Sequence, residues 1–179
     1  MKFKFSIIAT FLVLGLSAQK INWSEGRKLV WKDFQGDTNL GKSSAVVALA
    51  SCGVGYSAQT TTNPKAPVKI DVSVYFDTQK SWKLKDSVTD YVLLHEQKHF
   101  DIAELFGRKL RKKIAESIKN SLDYQTKFPA LYKQNLAEYK SFQKKYDEET
   151  QHGIDKEKQA FYNNLISEEL QKLNKYRES

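Results

Sequence analysis

The composition of the chain changes near residue 85, and this change constrains the fold more than any other feature. The segment 20–82 holds five of the eight glycines, two of the three prolines and several runs of β-branched residues. The segment 87–179 has two glycines and one proline and is rich in Lys, Glu, Leu, Gln and Ala. The first composition is typical of strands and turns, the second of helices. We therefore predict an α+β fold, with strands first and helices second.

Three segments of the first part predict strands: 28–34, 44–58 and 68–77. The last one has an apolar residue at every second position, namely Val68, Ile70, Val72, Val74 and Phe76. This alternation predicts a half-buried strand. The sequence thus favours an antiparallel or mixed sheet region before the helices.

The second part predicts three helices. The first runs from about 88 to about 120, with Ser87 as a candidate N-cap. Its core-facing stripe repeats at the helical spacing and comprises Val88, Val92, His95, His99, Ile102 and Phe106. A second helix follows Pro129, and a third follows a break at 151–155. We expect the sheet to pack on the first helix within a single domain, 19–179, that is strand-rich over 19–82 and helical over 87–179.

The N-terminal residues 1–18 have the pattern of a secretory signal peptide. Lys2 and Lys4 precede an apolar stretch at 7–16, which ends at the small residues Ser17 and Ala18. We expect a secreted or periplasmic protein without a membrane span, because no later segment approaches the ~20 apolar residues that a spanning helix needs.

The chain is basic, with a formal net charge of +8, and Cys52 is its only cysteine. No nucleic-acid-binding motif accompanies the basic residues, so we expect no nucleic-acid partner. Attraction to an anionic cell envelope is the simpler interpretation of the charge. A single cysteine allows no internal disulfide.

The sequence HEQKH at 95–99 places two histidines four residues apart on the first helix. Residues at this spacing lie on one face of a helix, so His95 and His99 can bind one metal ion from the same side. Glu96 lies ~100° around the helix, near the mouth of such a site. This is the H-E-x-x-H pattern of zinc hydrolases, in which zinc activates a water and the glutamate is the general base. The alternative is that both histidines are satisfied core residues.

Catalytic zinc commonly has three protein ligands, so a third is expected. Asp101 and Glu104 lie off the ligand face of the helix. His152, in a break between two helices, is the remaining histidine and can reach the motif if those helices pack antiparallel. The substitutes are Asp147, Glu148 and Glu149. Tyr146 is a candidate for stabilising the oxyanion, or else a core aromatic residue.

Three segments resemble the recurring blocks of a secreted bacterial family of unknown function that is predicted to comprise zinc-dependent proteases. They are WKDFQG (31–36), HEQKHFDIAE (95–104) with the following GRKLRK, and YDEETQHG (146–153). The resemblance implies a zincin-like metallopeptidase domain with His95, His99 and His152 as zinc ligands and Glu96 as base. Zincin-type enzymes commonly bind an extended peptide at a sheet edge, and 68–77 is the candidate edge.

The leading hypothesis is a secreted zinc metallopeptidase that hydrolyses peptide bonds in a peptide or protein substrate. A second hypothesis is a non-catalytic metal-binding or envelope-interaction protein whose working surface is the basic helical part. A third is that the motif is incidental in a helical scaffold. The Glu96→Gln variant separates the first two hypotheses, because only the peptidase loses its function. The sequence predicts neither the cleavage preference nor the oligomeric state.

Overall fold

A computed structural model describes residues 20–38, 46–85 and 88–178. The predicted signal peptide, 1–18, and the predicted N-cap Ser87 lie outside these residues. The described chain has the predicted α+β architecture, with a small antiparallel sheet region followed by helices. In these ranges no helix combines the length and apolarity needed to cross a bilayer.

Within the described residues, five short strands form two antiparallel sheets. They are β1 (Lys20–Asn22), β2 (Ala48–Leu49), β3 (Cys52–Gln59), β4 (Lys69–Asp77) and β5 (Trp82–Lys83). One sheet has the order β1-β4-β3 and the other pairs β2 with β5. The strand predicted at 68–77 is confirmed as β4. β4 lies between β1 and β3, so the expectation that it offers a free edge to a peptide was wrong where β1 pairs with it, at 75–77.

Of the other two strand predictions, the one at 28–34 was wrong and the one at 44–58 was wrong in part. Instead of a strand at 28–34, the chain forms a 3-10 helix at Trp31–Asp33, since the Asp33 carboxylate accepts the Val30 N–H (2.8 Å) and pairs with Arg27 (2.8 Å). The described part of 44–58 is divided into β2 and β3. The division falls where the N–H of Ala50 turns to the Glu96 carboxylate (2.7 Å) and that of Ser51 to the Ser81 hydroxyl (2.9 Å).

Four α-helices lie in the described chain, one more than predicted. They are α1 (Asp90–Ser117), α2 (Ser121–Thr126), α3 (Phe128–Thr150) and α4 (Lys156–Lys172). Thr89 caps α1 by accepting the Val92 N–H (3.2 Å). The additional helix α2 is capped by Asn120, and Pro129 lies in the first turn of α3.

Helix α1 is the central element and is buried on almost every side between residues 95 and 110. The apolar face of β4, formed by Val72, Val74 and Phe76, packs against it, while α3 and α4 cover the other side. Gly107 permits the close contact with the sheet, because a Cβ there would lie 2.4 Å from a Val74 methyl group. This burial explains why the motif at 95–99 lies inside the fold rather than on its surface.

Candidate metal centre

The two histidines of α1 face each other across one turn of the helix. Their Nε2 atoms lie 3.2 Å apart. The His95 side chain is 4% exposed and that of His99 is 12% exposed. The one-turn spacing inferred from the sequence thus brings two largely buried imidazoles to one point.

Helix α3 brings a carboxylate to the same point. The Oδ1 atom of Asp147 lies 2.9 Å from Nε2 of His99 and 3.3 Å from Nε2 of His95. Two ligands bound at 2.0–2.1 Å to one tetrahedral ion lie about 3.3 Å apart. Nε2 of His95, Nε2 of His99 and Oδ1 of Asp147 form a triangle. Its edges of 2.9, 3.2 and 3.3 Å match that spacing. Two imidazoles and a carboxylate also form a donor set that catalytic zinc uses, so these residues fit the ion.

Gln143, one turn before Asp147 on α3, holds the ring of His99. Its Nε2 donates to the backbone carbonyl of His99 and to the hydroxyl of Tyr139, both at 3.0 Å, and this orients the amide. Its Oε1 therefore faces Nδ1 of His99 at 2.5 Å and accepts the ring N–H. The proton of neutral His99 is thereby held on Nδ1, and the lone pair of Nε2 points to the triangle.

Gln159, on α4, does the same for His95. Its Nε2 donates to Tyr146 (2.7 Å) and Asn163 (2.9 Å), and its Oε1 accepts from Nδ1 of His95 at 2.8 Å. Gln159 is 1% exposed. The two amides come from different helices, so α3 and α4 together orient both rings in the way that outer hydrogen bonds orient metal-binding histidines.

This arrangement directs three lone-pair-bearing atoms at one another. Burial alone would lower the pKa of His99, but the hydrogen bond to Asp147, the negative charge of Glu96 and the contact with Gln143 raise it to about 9. Burial would raise the pKa of Asp147, but its contacts with His95 and His99 hold it well below its usual range. The raised pKa of His99 and the lowered pKa of Asp147 both favour positive charge at the triangle, as a cation site requires.

Glu96 is 4% exposed and lies beside the triangle. Its Oε2 accepts the N–H of Ala50 at 2.7 Å, which fixes the carboxylate against the chain just after β2. Burial raises the pKa of Glu96, although the neighbouring histidines and the Ala50 N–H oppose this shift. The carboxylate is therefore anchored and more basic than an exposed glutamate.

His152 occupies the turn between α3 and α4 but is not in the triangle. Its Nδ1 lies 3.7 Å from Asp147, and its side chain is 51% exposed. Asp147, one of the substitutes considered from the sequence, is the residue that contacts both histidines of α1. Gln151, His152 and Gly153 all have positive φ (50°, 54° and 86°), so the chain turns sharply here. Gly153 packs on His95, where a Cβ would lie 3.2 Å from the ring.

Tyr146 is a core residue and not a candidate for contacting substrate. It is fully buried, its ring stacks on His95 with 4.7 Å between centroids, and its hydroxyl lies 3.0 Å from Gln159. The core alternative considered from the sequence is therefore what the structure shows. Asp101 and Glu104 lie off the ligand face, as predicted, and are buried in contacts with other residues.

The triangle opens into a cleft of about 670 Å³. Residues 46–52, the N-terminal half of α1, the ligand face of α3 and the turn at 152–154 line this cleft. Sequence reasoning missed Gln143 and Gln159 altogether. The spacing of Gln143 and Asp147, four residues apart on one helix face, was the only available signal for this part of the site.

Comparison with known proteins gives one match. The family described as Bacterial protein of unknown function (DUF922) matches residues 34–153, which include His95, His99 and Asp147. No curated protein and no solved structure matches the chain. The chain belongs to this bacterial family, and the family brings no assigned activity with it.

Proposed function

We propose that this member of the bacterial DUF922 family is an exported zinc-dependent metallopeptidase, with Glu96 as its general base and His95, His99 and Asp147 as its zinc ligands. The observation that carries the proposal is the triangle of two imidazole nitrogens and one carboxylate oxygen, with edges of 2.9–3.3 Å. Both rings already donate their Nδ1–H elsewhere, so a cation would satisfy the three remaining lone pairs together.

When bound, zinc supplies Lewis-acid chemistry: it lowers the pKa of water to about 7 and polarises a carbonyl oxygen. Glu96 takes up the proton as water attacks the peptide carbonyl and returns it to the leaving amine. The Ala50 N–H keeps the Glu96 carboxylate in place during this exchange. Burial of Glu96 raises its pKa and so favours its accepting a proton. Gln143 and Gln159 keep the ligand rings oriented.

A peptide substrate suits the wall of the cleft formed by 46–50. The N–H of Leu84 donates to the Val47 carbonyl, so Val47 and Leu49 direct their backbone groups to β5. Backbone groups alternate along a strand, so those of Ala48 and Ala50 point away from β5. The Ala50 N–H meets Glu96 on this side, and residues 46–50 line the cleft beside it. An extended peptide can lie along this wall next to the base.

The decisive experiment compares wild type with Glu96→Gln, starting the purified chain near Gln19. We expect about one zinc per chain by mass spectrometry in both proteins. We expect hydrolysis of a peptide library by wild type only, since loss of a general base costs about 10²–10⁴-fold in rate. Zinc binding with no hydrolysis by either protein would favour the non-catalytic metal-binding hypothesis.

The ligand assignment has its own test. Asp147→Ala is expected to weaken zinc binding strongly, because it removes one vertex of the triangle. The sequence-based prediction that His152 is a ligand is tested in parallel with His152→Ala. If only His152→Ala lost the metal, the assignment of Asp147 would be wrong.

A further inference from the structure

Two large apolar side chains are exposed beside the candidate metal centre. Leu49 is 41% exposed and Ile154 is 71% exposed, and both line the cleft. Leu49 directly precedes Ala50, whose N–H holds Glu96. Ile154 directly follows Gly153, which packs on His95. Each of the two apolar residues is therefore next in sequence to a residue that contacts the candidate site.

The local structure fixes both side chains outward. Successive residues of a strand face opposite sides, and Ala48 is 3% exposed, so Leu49 faces away from the core; it also lines the cleft. The three positive-φ residues at 151–153 turn the chain back towards α4 and leave Ile154 at the rim. Exposure of a large aliphatic side chain is unremarkable when isolated, but these two belong to one cleft that is also lined by Val46, Val47 and Val92.

We propose that Leu49 and Ile154 are specificity-determining residues that select peptides with a large apolar side chain next to the bond to be cleaved. This inference rests on the proposed peptidase function. Burial of an apolar substrate side chain against Leu49 and Ile154 removes apolar surface of both partners from water. A charged or small side chain at that position gains no such contact.

Peptides that differ at a single position test the selection. The series carries Leu, Phe, Ser or Asp on either side of one scissile bond, and kcat/KM is measured for wild type, Leu49→Asn and Ile154→Asn. We expect wild type to prefer Leu and Phe over Ser by about tenfold or more. Each Asn variant should lose most of that preference through a higher KM for the Leu and Phe peptides. Its zinc content and Tm should equal those of wild type.

Phe161→Asn is the matched control. Phe161 lies on α4, is 56% exposed and does not line the cleft, so its replacement should leave the preference unchanged. Equal loss in all three variants would overturn the proposal, because it would reflect a general effect of removing exposed apolar surface. Hydrolysis by wild type without preference for Leu or Phe would also overturn it.

Binding to Glu96→Gln separates this proposal from the proposed hydrolysis. A fluorescent Leu-containing peptide should bind this variant about tenfold or more tightly than its Ser counterpart, and adding Ile154→Asn should abolish the difference. If wild type binds the Leu peptide selectively and cleaves nothing, the peptidase function fails while the apolar subsite stands. If it cleaves peptides but the variants leave the preference intact, the subsite fails while the function stands.

Discussion

Zinc should compete with a proton for the triangle, and the pH dependence of zinc affinity should reveal it. In the metal-free protein the pKa of His99 is raised to about 9, because Asp147 and Glu96 favour the imidazolium form. Zinc needs the neutral ring, whose Nε2 lone pair is free. At pH 7, about two units below this pKa, the metal must therefore displace the proton of His99.

The size and sign of the effect follow from that pKa. One pKa unit corresponds to about 1.4 kcal/mol, so proton displacement at pH 7 costs about 2.7 kcal/mol and lowers the apparent zinc affinity about 100-fold. The affinity should rise about tenfold per pH unit from pH 7 to about 9 and level off above it. Asp147 adds no slope in this range, since its pKa lies well below its usual value and it is already ionised.

The assay is chelator competition at pH 7.0, 8.0 and 9.0, with calorimetry at pH 7 in two buffers of different ionisation enthalpy. We expect about one proton released per zinc at pH 7. Asp147→Asn is the control, because it removes the hydrogen bond that favours imidazolium and should flatten the slope as well as weaken binding. A zinc affinity that stays constant between pH 7 and 9, or proton uptake on binding, would refute the reasoning.

Three further predictions concern positioning and stability. Gln143→Leu should weaken zinc binding about 10–100-fold by chelator competition, because the ring it orients loses its acceptor, and an unchanged Kd would argue against that role. Gly107→Ala should cost about 1–3 kcal/mol of unfolding free energy in urea, because its Cβ would lie 2.4 Å from a Val74 methyl group. Gly26→Ala is the control and should leave the unfolding free energy unchanged, because a Cβ at Gly26 has no neighbour within 4 Å. Glu104→Gln should cost about 3–5 kcal/mol in the same assay, since Arg108 and Arg111 lose their ion pairs with a carboxylate that is 1% exposed.

The sequence predicted the elements whose pattern comes from burial. Alternation identified β4, and the helical period identified α1, α3 and α4. It failed at 28–34 and 44–58, where single hydrogen bonds decide the backbone. The Asp33 carboxylate closes a turn in the first segment, and Glu96 takes the Ala50 N–H in the second. Such contacts leave no periodic trace in a sequence.

The site was predictable to the extent that it lies on one helix. His95, Glu96 and His99 are neighbours in sequence, so their spacing alone places them together. The carboxylate and both amides come from α3 and α4, and their positions depend on how these helices pack against α1. Asp147 was therefore one open alternative among several, and Gln143 and Gln159 had no distinguishing signal.

The choice of amides beside the two histidines follows from the charge of the site. When ionised, Asp147 and Glu96 bring two negative charges into a largely buried region, which a divalent cation neutralises. Carboxylates in place of Gln143 and Gln159 would accept the same Nδ1–H bonds but add two further charges that the ion could not balance. Because an unpaired buried charge is costly, neutral acceptors orient the rings at a lower electrostatic cost. The charge balance therefore supports the proposal that this site binds a divalent ion.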